Sequence, residues 1–308
     1  MTDTQAASGE PKLDHLSKEN QAYWNSKENQ WYLKDVGPHI QPNSRKLLEE
    51  YSHILPEDVD AHIHKMRDIL WSHAPYPCVG QFKFLRLNLV NHPQYQHILS
   101  TLRSASGPCI LDLGCCVAPD LRSLAHNGIP STQLFGSDLN ASFLTTSYDL
   151  FDDASTFKGT LVAADIFSST LFEEQFLGWE NKFSIIHAGL FLHLFNWERQ
   201  LLVCEKIVKL LKDEKGSMLV GEMVGCQGGG LRGPASKNIS EERKPFLHDD
   251  GSFAKLWGEV AKKTGTVGCW KVEGVFTLRY KEWEDGGNSK SFFEGEGIGW
   301  FTFSVERV

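Results

Sequence analysis

Cys109-Ile-Leu-Asp-Leu-Gly-Cys-Cys-Val-Ala118 is the stretch whose reading decides the fold. Its apolar first half, closed by Gly114, reads as a buried strand running into a tight turn. Pro119 then suits the first turn of a helix that runs to His126 and stops at Asn127-Gly128. The same strand–turn–helix unit recurs downstream. Gln133-Leu-Phe-Gly-Ser137 predicts a second strand, and Asn140 the N-cap of a helix to Phe151. Thr160–Ala164 predicts a third strand and Phe183–His187 a fourth, after which Asn196 caps a helix carrying Leu201, Cys204, Val208 and Leu211 on one face. Ser217–Val224 is the fifth strand. Strands alternating with helices specify a parallel sheet covered on both faces.

On the C-terminal side the rhythm changes. A glycine-rich loop, Gly225–Gly233, leads to a polar stretch and a helix capped by Ser252, with Phe253, Leu256, Trp257 and Val260 at helical spacing. Val275–Trp283 and Trp300–Val308, joined by Asp285-Gly-Gly-Asn-Ser, predict an antiparallel hairpin at the sheet edge. On the N-terminal side, residues 1–17 read as a flexible terminus and 18–107 as a helical cap or lid. Within that cap, Pro56 suits a first helical turn ahead of Val59, Ile63, Met66 and Leu70, and a further helix starts near Pro93. The core is expected over 108–308, with a substrate insertion at about 225–270.

The turn after the first strand also constrains the ligand. A dinucleotide loop reads G-x-G-x-x-G directly after its strand, and here only Gly114 of such a triplet is present. Instead Asp112 lies two residues before the glycine, an acid that suits an ammonium and disfavours phosphates. S-adenosylmethionine, whose one end is an amino acid, is the natural candidate. Asp138 closes the second strand, 26 positions on, where a carboxylate can accept both ribose hydroxyl hydrogens. Asp165 closes the third, within reach of the adenine amino group, and Leu139 and Ile166 are placed to sandwich the ring. Each acid alone reads equally well as a turn or helix-entry residue; three at successive strand ends favour the nucleoside.

Composition narrows the class further. Among 308 residues, 31 Lys+Arg against 39 Asp+Glu leave a net charge of −8, which gives no electrostatic attraction to nucleic acid or anionic lipid. The N-terminal residues lack an apolar signal region, and the most apolar run, Ser184–Phe195, is too short to span a membrane. Seven scattered Cys with no C-x-x-C pair fit reduced thiols in the cytoplasm and no metal site. With 9 Trp, 7 Tyr and 19 Phe, the chain carries wide apolar surfaces to bury or present to a ligand.

These motifs carry a resemblance. Ile110-Leu-Asp-Leu-Gly-Cys-Cys-x-x-x-Asp-Leu-Arg122, with Gly-Ser-Asp-Leu139 and Ala-Asp-Ile166, resembles class I S-adenosylmethionine-dependent methyltransferases. Tyr76-Pro-Cys-Val-Gly-Gln-Phe-Lys-Phe-Leu85 is similar to the aromatic motif ahead of the core in the fungal secondary-metabolite subgroup of austinol and terretonin type. The resemblance implies a Rossmann-like α/β fold with seven strands in the order 3-2-1-4-5-7-6, the last antiparallel. It departs at Cys116, where most class I enzymes have Gly, and at Ala118, where the subgroup often shows Gly. It implies that Asp112, Gly114, Cys115, Asp138, Leu139, Asp165, Ile166, His187 and Ala188 line the cofactor.

It also implies O-methylation of a small hydrophobic metabolite, with a meroterpenoid or polyketide carboxylate as acceptor. Such an acceptor is ionised near pH 7 and needs no base, whereas a phenol or enol does. His193, just beyond the fourth strand, is the candidate base or substrate-orienting residue. Trp31, Tyr32, Gln81, Phe82 and Arg232 are candidate substrate contacts, and Trp24 and Tyr76 belong to the same aromatic cap. A non-catalytic cofactor-binding regulator and a homodimer are the remaining alternatives.

Overall fold

The structure, a computed structural model, describes residues 23, 25–104, 107–233, 244–278, 293 and 295–308. The expected flexible terminus at 1–17, Trp24 and the hairpin connection at 285–289 lie outside the described residues. Seven strands form one sheet in the order β3-β2-β1-β4-β5-β9-β8. These are β1 (Cys109–Leu113), β2 (Leu134–Asp138), β3 (Thr160–Ala163), β4 (Phe183–His187), β5 (Met218–Cys226), β8 (Trp270–Leu278) and β9 (Ile298–Arg307). β1 to β5 run parallel, and β9 is antiparallel to both neighbours. Counted within the sheet, this is the expected 3-2-1-4-5-7-6. A two-stranded ladder, β6 (Gly230–Leu231) with β7 (Phe246–Leu247), stands apart.

Helices α1 (Pro42–Glu50), α2 (Val59–His73), α3 (Pro77–Gly80) and α4 (Tyr95–Leu102) precede the sheet; α5 (Pro119–His126), α6 (Ala141–Phe151), α7 (Trp197–Leu210) and α8 (Asp250–Thr264) lie within it. The period-2 geometry of the strands divides their side chains between two faces. Leu111, Ile186, Leu219 and Phe303 pack against Leu201 and Ile207 of α7 and Phe253 and Trp257 of α8. Ile110, Ile185 and Val220 pack against Ile98 of α4, Leu121 and Leu124 of α5 and Leu144 of α6.

Several element ends differ from expectation. α2 begins at Val59, with Pro56 in the turn before it, and α4 begins two residues after Pro93. β5 continues through Cys226, because antiparallel pairing with β9 from Met218↔Glu306 to Cys226↔Ile298 absorbs residues that read as loop. β8 starts at Trp270 rather than Val275. The cap of α8 is Asp249; Ser252 is its N3 partner in a reciprocal capping box. α8 sits in the core, so the expected insertion at 225–270 contains a structural helix as well as the β6–β7 ladder.

The cap is a packed layer. Leu48, Ile63, Leu70 and Val79 are fully buried, in one cluster with Phe143 and Phe151 of α6 and Val117 of the turn after β1. Burial of such a side chain is worth roughly 1.5–3 kcal/mol relative to exposure. Lifting the layer as a unit would therefore cost on the order of 10 kcal/mol, which makes it a wall rather than a door. No helix among the described residues is long and apolar enough to cross a membrane.

Candidate functional site

The turn after β1 is built on left-handed backbone. Gly114, Cys116 and Ala118 have φ of 71°, 52° and 51°. At Gly114 a side chain is excluded twice, because a Cβ there would lie 2.4 Å from the Phe191 ring. Cys116 and Ala118 hold a conformation that glycine adopts freely, at a cost of about 1–2 kcal/mol each. The departures noted in the sequence thus fall on the two positions where the backbone itself favours glycine. Neighbours hold the turn in place: Gly114 N and Cys115 N donate to Ser137 O at 2.8 and 3.1 Å, and Ala118 N donates to Cys115 O at 2.6 Å.

Three acids mark the strand ends. Asp138 accepts Cys116 N at 2.8 Å through Oδ2 and Asn140 N at 2.9 Å through Oδ1. Burial raises its carboxyl above the usual range, opposed by those two N–H donors. Asp165 accepts Phe167 N at 2.8 Å, and Lys206 Nζ donates to the neighbouring Ile166 and Ser168 carbonyls. Asp112 faces His187 across the β1–β4 register, where parallel partners share a face. Their contact, Asp112 Oδ1 to His187 Nδ1, is 2.8 Å, with both residues buried.

Burial disfavours a charge on His187, but Asp112 first, then Asp120 and Glu222, outweigh it and raise the imidazole to about 9. Asp120, in the first turn of α5, is pushed up to about 6 by its own burial. Asp120, Asn88, Arg86 and Glu222 were not legible as site residues. They come from three separate segments, 86–88, α5 and β5, and only Asp120 falls within a motif quoted above.

The remaining sequence candidates divide. Leu139 is half-buried and Ile166 is 8% exposed beside Asp138 and Asp165. Ala188 is fully buried, its N–H donating to Val220 O. Cys115 turns its side chain into the core, where burial drives the thiol far above its ordinary range, so only its backbone belongs to the turn's surface. Trp31 and Phe82 are 3% and 1% exposed inside the cap cluster. Tyr32 and Phe82 flank the Arg67 guanidinium at 3.7 and 4.6 Å from the ring centroids. These three aromatics are committed to packing, and their numbers explain part of the aromatic excess. Gln81 is buried beside them. Arg232 directly follows β6, where its N–H donates to Pro245 O and its guanidinium to Leu231 O. His193 is 7% exposed, its ring 5.7 Å from Phe293 and its Nδ1 without a hydrogen-bond partner among the described residues. Burial pushes its imidazole down to about 4.

The carboxylates of Asp112 and Asp138 offer acceptors at this turn, a set that fits a ligand with an ammonium at one end and hydroxyls at the other. The sheet order, the antiparallel seventh strand and an acid closing β1, β2 and β3 define a class I S-adenosylmethionine-dependent methyltransferase. Comparison with known proteins narrows this. Residues 31–85 match the family described as "Meroterpenoid methyltransferase N-terminal domain". The chain is 40% identical to the O-methyltransferase phiE of a fungal species, over 82% of this chain and 81% of that protein. It is 36% identical to the methyltransferase ausD of Aspergillus calidoustus, over 71% and 76% of the two chains. With the asnovolin E/chermesin D methyltransferase nvfJ of Aspergillus novofumigatus it shares 32% identity, over 87% and 90%. The chain belongs to this family of fungal O-methyltransferases, and S-adenosylmethionine is its cofactor.

The buried imidazoles also set an acid limit on stability. His92 donates from Nε2 to Phe303 O, and His248 from Nε2 to Gln200 Oε1. Burial holds His92, His193 and His248 at about 4, against about 6.5 when unfolded. A depressed folded value means stability fully present above pH 6.5 and lost as pH falls towards 4. His187 has the opposite sign, its contribution complete below 6.5 and lost as pH rises through about 9. Asp120, raised to about 6, offsets part of the acid loss. Melting temperature is expected to peak near pH 6.5 and to fall steeply by pH 4.5; a flat profile from 4.5 to 7 in thermal melts would contradict the assignment.

Proposed function

We propose that this chain transfers a methyl group from S-adenosylmethionine to a carboxylate oxygen of a hydrophobic meroterpenoid or polyketide intermediate, giving a methyl ester. The observation that carries the acceptor assignment is His193, a buried imidazole lowered to about 4 with no carboxylate to orient it among the described residues. Such a group is a weak base for a phenol of pKa about 10 and suits an acceptor that arrives already ionised. The cofactor supplies an electrophilic methyl on a sulfonium.

In this reading Asp138 receives the ribose hydroxyl hydrogens, Asp165 meets the adenine amino group, and Leu139 and Ile166 flank the ring. Asp112 would offer its second oxygen to the methionine ammonium, and the Gly114–Cys115 backbone, His187 and Ala188 would line that end of the cofactor. With an acceptor that arrives ionised, no residue of this chain would have to take up a proton, so holding the acceptor in line with the donated methyl would supply most of the acceleration. His193 orients the acceptor by hydrogen bonding. Of the substrate candidates, Gln81 and Arg232 remain; the packing of Trp31, Tyr32 and Phe82 gives them an indirect part, shaping the wall. The free thiols fit a cytoplasmic enzyme.

A fungal extract incubated with the enzyme and methyl-labelled cofactor is expected to yield a product that releases labelled methanol on mild alkaline hydrolysis, as an ester does and an aryl ether does not. With that substrate, His193→Ala should keep kcat within about threefold and leave the rate flat between pH 6 and 9. A drop of about 10²–10⁴-fold, the range for loss of a general base, would instead assign a phenol or enol acceptor with His193 as its base.

A further inference from the structure

One buried charge group is larger than cofactor contact requires. His187 pairs with Asp112 at 2.8 Å, and the charge of Asp120 acts on it through space in the same direction. Asp120 is 4% exposed, and its two oxygens accept backbone N–H groups from the segment ahead of α4: Leu89 N at 3.0 Å on Oδ1 and Asn88 N at 3.3 Å on Oδ2. A Cβ placed on Gly189 would lie 2.7 Å from both Cε1 and Nε2 of His187 and 3.3 Å from the Asn88 amide nitrogen. Residue 189 is therefore glycine at the point where strand end, imidazole and cap segment meet. The same cap segment is tied a second time: Arg86 pairs with Glu222 at 3.1 Å and lies 4.5 Å from the Trp300 ring centroid. Among the described residues, Asn88 Oδ1 is buried without a hydrogen-bond partner.

We propose that Asp120 is a positioning residue for the cofactor: through His187 it fixes Asp112 to meet the methionine ammonium, and through Asn88 and Leu89 it couples that end of the cofactor to docking of the cap segment 86–89. The inference rests on the cofactor placement given under Proposed function. A carboxylate whose only task was to pin the cap would need neither the imidazole nor proximity to Asp112. A carboxylate that served only the cofactor would not spend both oxygens on backbone donors of another layer. By linkage, the coupling acts in both directions, so cofactor binding tightens the segment as much as the segment tightens the cofactor. The consequence for the reaction is order of assembly: the wall of the acceptor site becomes firm once the methyl donor is in place.

The test uses the full chain and two nucleosides. S-adenosylhomocysteine carries the amino-acid end, and 5′-methylthioadenosine keeps the nucleoside and thioether but lacks it. Asp120→Asn should weaken S-adenosylhomocysteine by about tenfold, within the usual range of such couplings, and change 5′-methylthioadenosine by less than twofold in calorimetric titrations. In hydrogen exchange, S-adenosylhomocysteine should slow the Asn88 and Leu89 amides in the wild type and leave them unchanged in the variant.

His187→Asn, which can keep a donor towards Asp112, provides the second variant if Asp120→Asn does not fold; it should retain most of the affinity that His187→Leu loses. Equal weakening of both nucleosides, or none, would overturn the coupling. A wild type that binds 5′-methylthioadenosine but gains nothing from the amino-acid end would overturn the placement of Asp112 as well, which separates the two failures.

Discussion

Replacing Arg122 by methionine is expected to lower the melting temperature by roughly 10 °C, among the largest single effects in the molecule. Arg122 is fully buried, and its guanidinium grips Asp153 with both arms, Nε to Oδ2 at 3.0 Å and Nη2 to Oδ1 at 3.3 Å. It also donates to Ser147 Oγ and lies 4.1 Å from the Phe157 ring centroid. Tyr51, at the end of α1, adds its hydroxyl to Asp153 Oδ2 at 2.8 Å. One ion pair thus joins α5, the exit of α6 and the cap. Removing one member leaves the other buried and uncompensated, at a cost of about 3–5 kcal/mol, and each kcal/mol moves the melting temperature by roughly 2–4 °C in a domain of this size. Removing both, as Arg122→Met with Asp153→Leu, should recover much of the loss, because the desolvation penalty goes with the pair. A single variant melting within 2 °C of the wild type would show that water reaches the site.

Asp138→Ala should weaken S-adenosylhomocysteine binding by at least about 100-fold. Two effects act together. The carboxylate is the proposed acceptor for both ribose hydroxyls, and hydrogen bonds to a charged group are worth about 1.5–3 kcal/mol each. It also accepts Cys116 N and Asn140 N, so its loss removes the restraint on a turn whose backbone is held in left-handed conformations at Cys116 and Ala118. Asp138→Asn keeps one carbonyl oxygen and should fall between the two. Titration of each folded variant decides the matter, and undiminished binding to Asp138→Ala would remove the ribose from this residue.

What was legible along the chain was the periodic part. α5 and β4 coincide with their expected bounds, and Asn140 and Asn196 cap α6 and α7 as their residue types require. Local rules sufficed there, because a cap or an apolar run acts over a few residues. Where partners lie far apart, local reading failed. β5 was read two residues short, since what keeps Gly225 and Cys226 extended is β9, more than 70 positions later. Ser252 was read as the cap itself because it opens the helical pattern, although Asp249 holds that position and Ser252 answers it.

The site divides along the same line. The sequence by itself determined the sheet, its order by resemblance, and the three acids at the ends of β1, β2 and β3, because strand ends and the residues on them are contiguous features. Tertiary structure alone decided how those acids are used. It joined Asp112 to His187 75 residues away and brought Asp120 to the backbone of Asn88 and Leu89. Among the described residues it also left His193 without a carboxylate partner and spent Trp31, Tyr32 and Phe82 on the cap. The physical reason is that burial and pairing set the charge of a group, and both belong to neighbours in space that no spacing along the chain records.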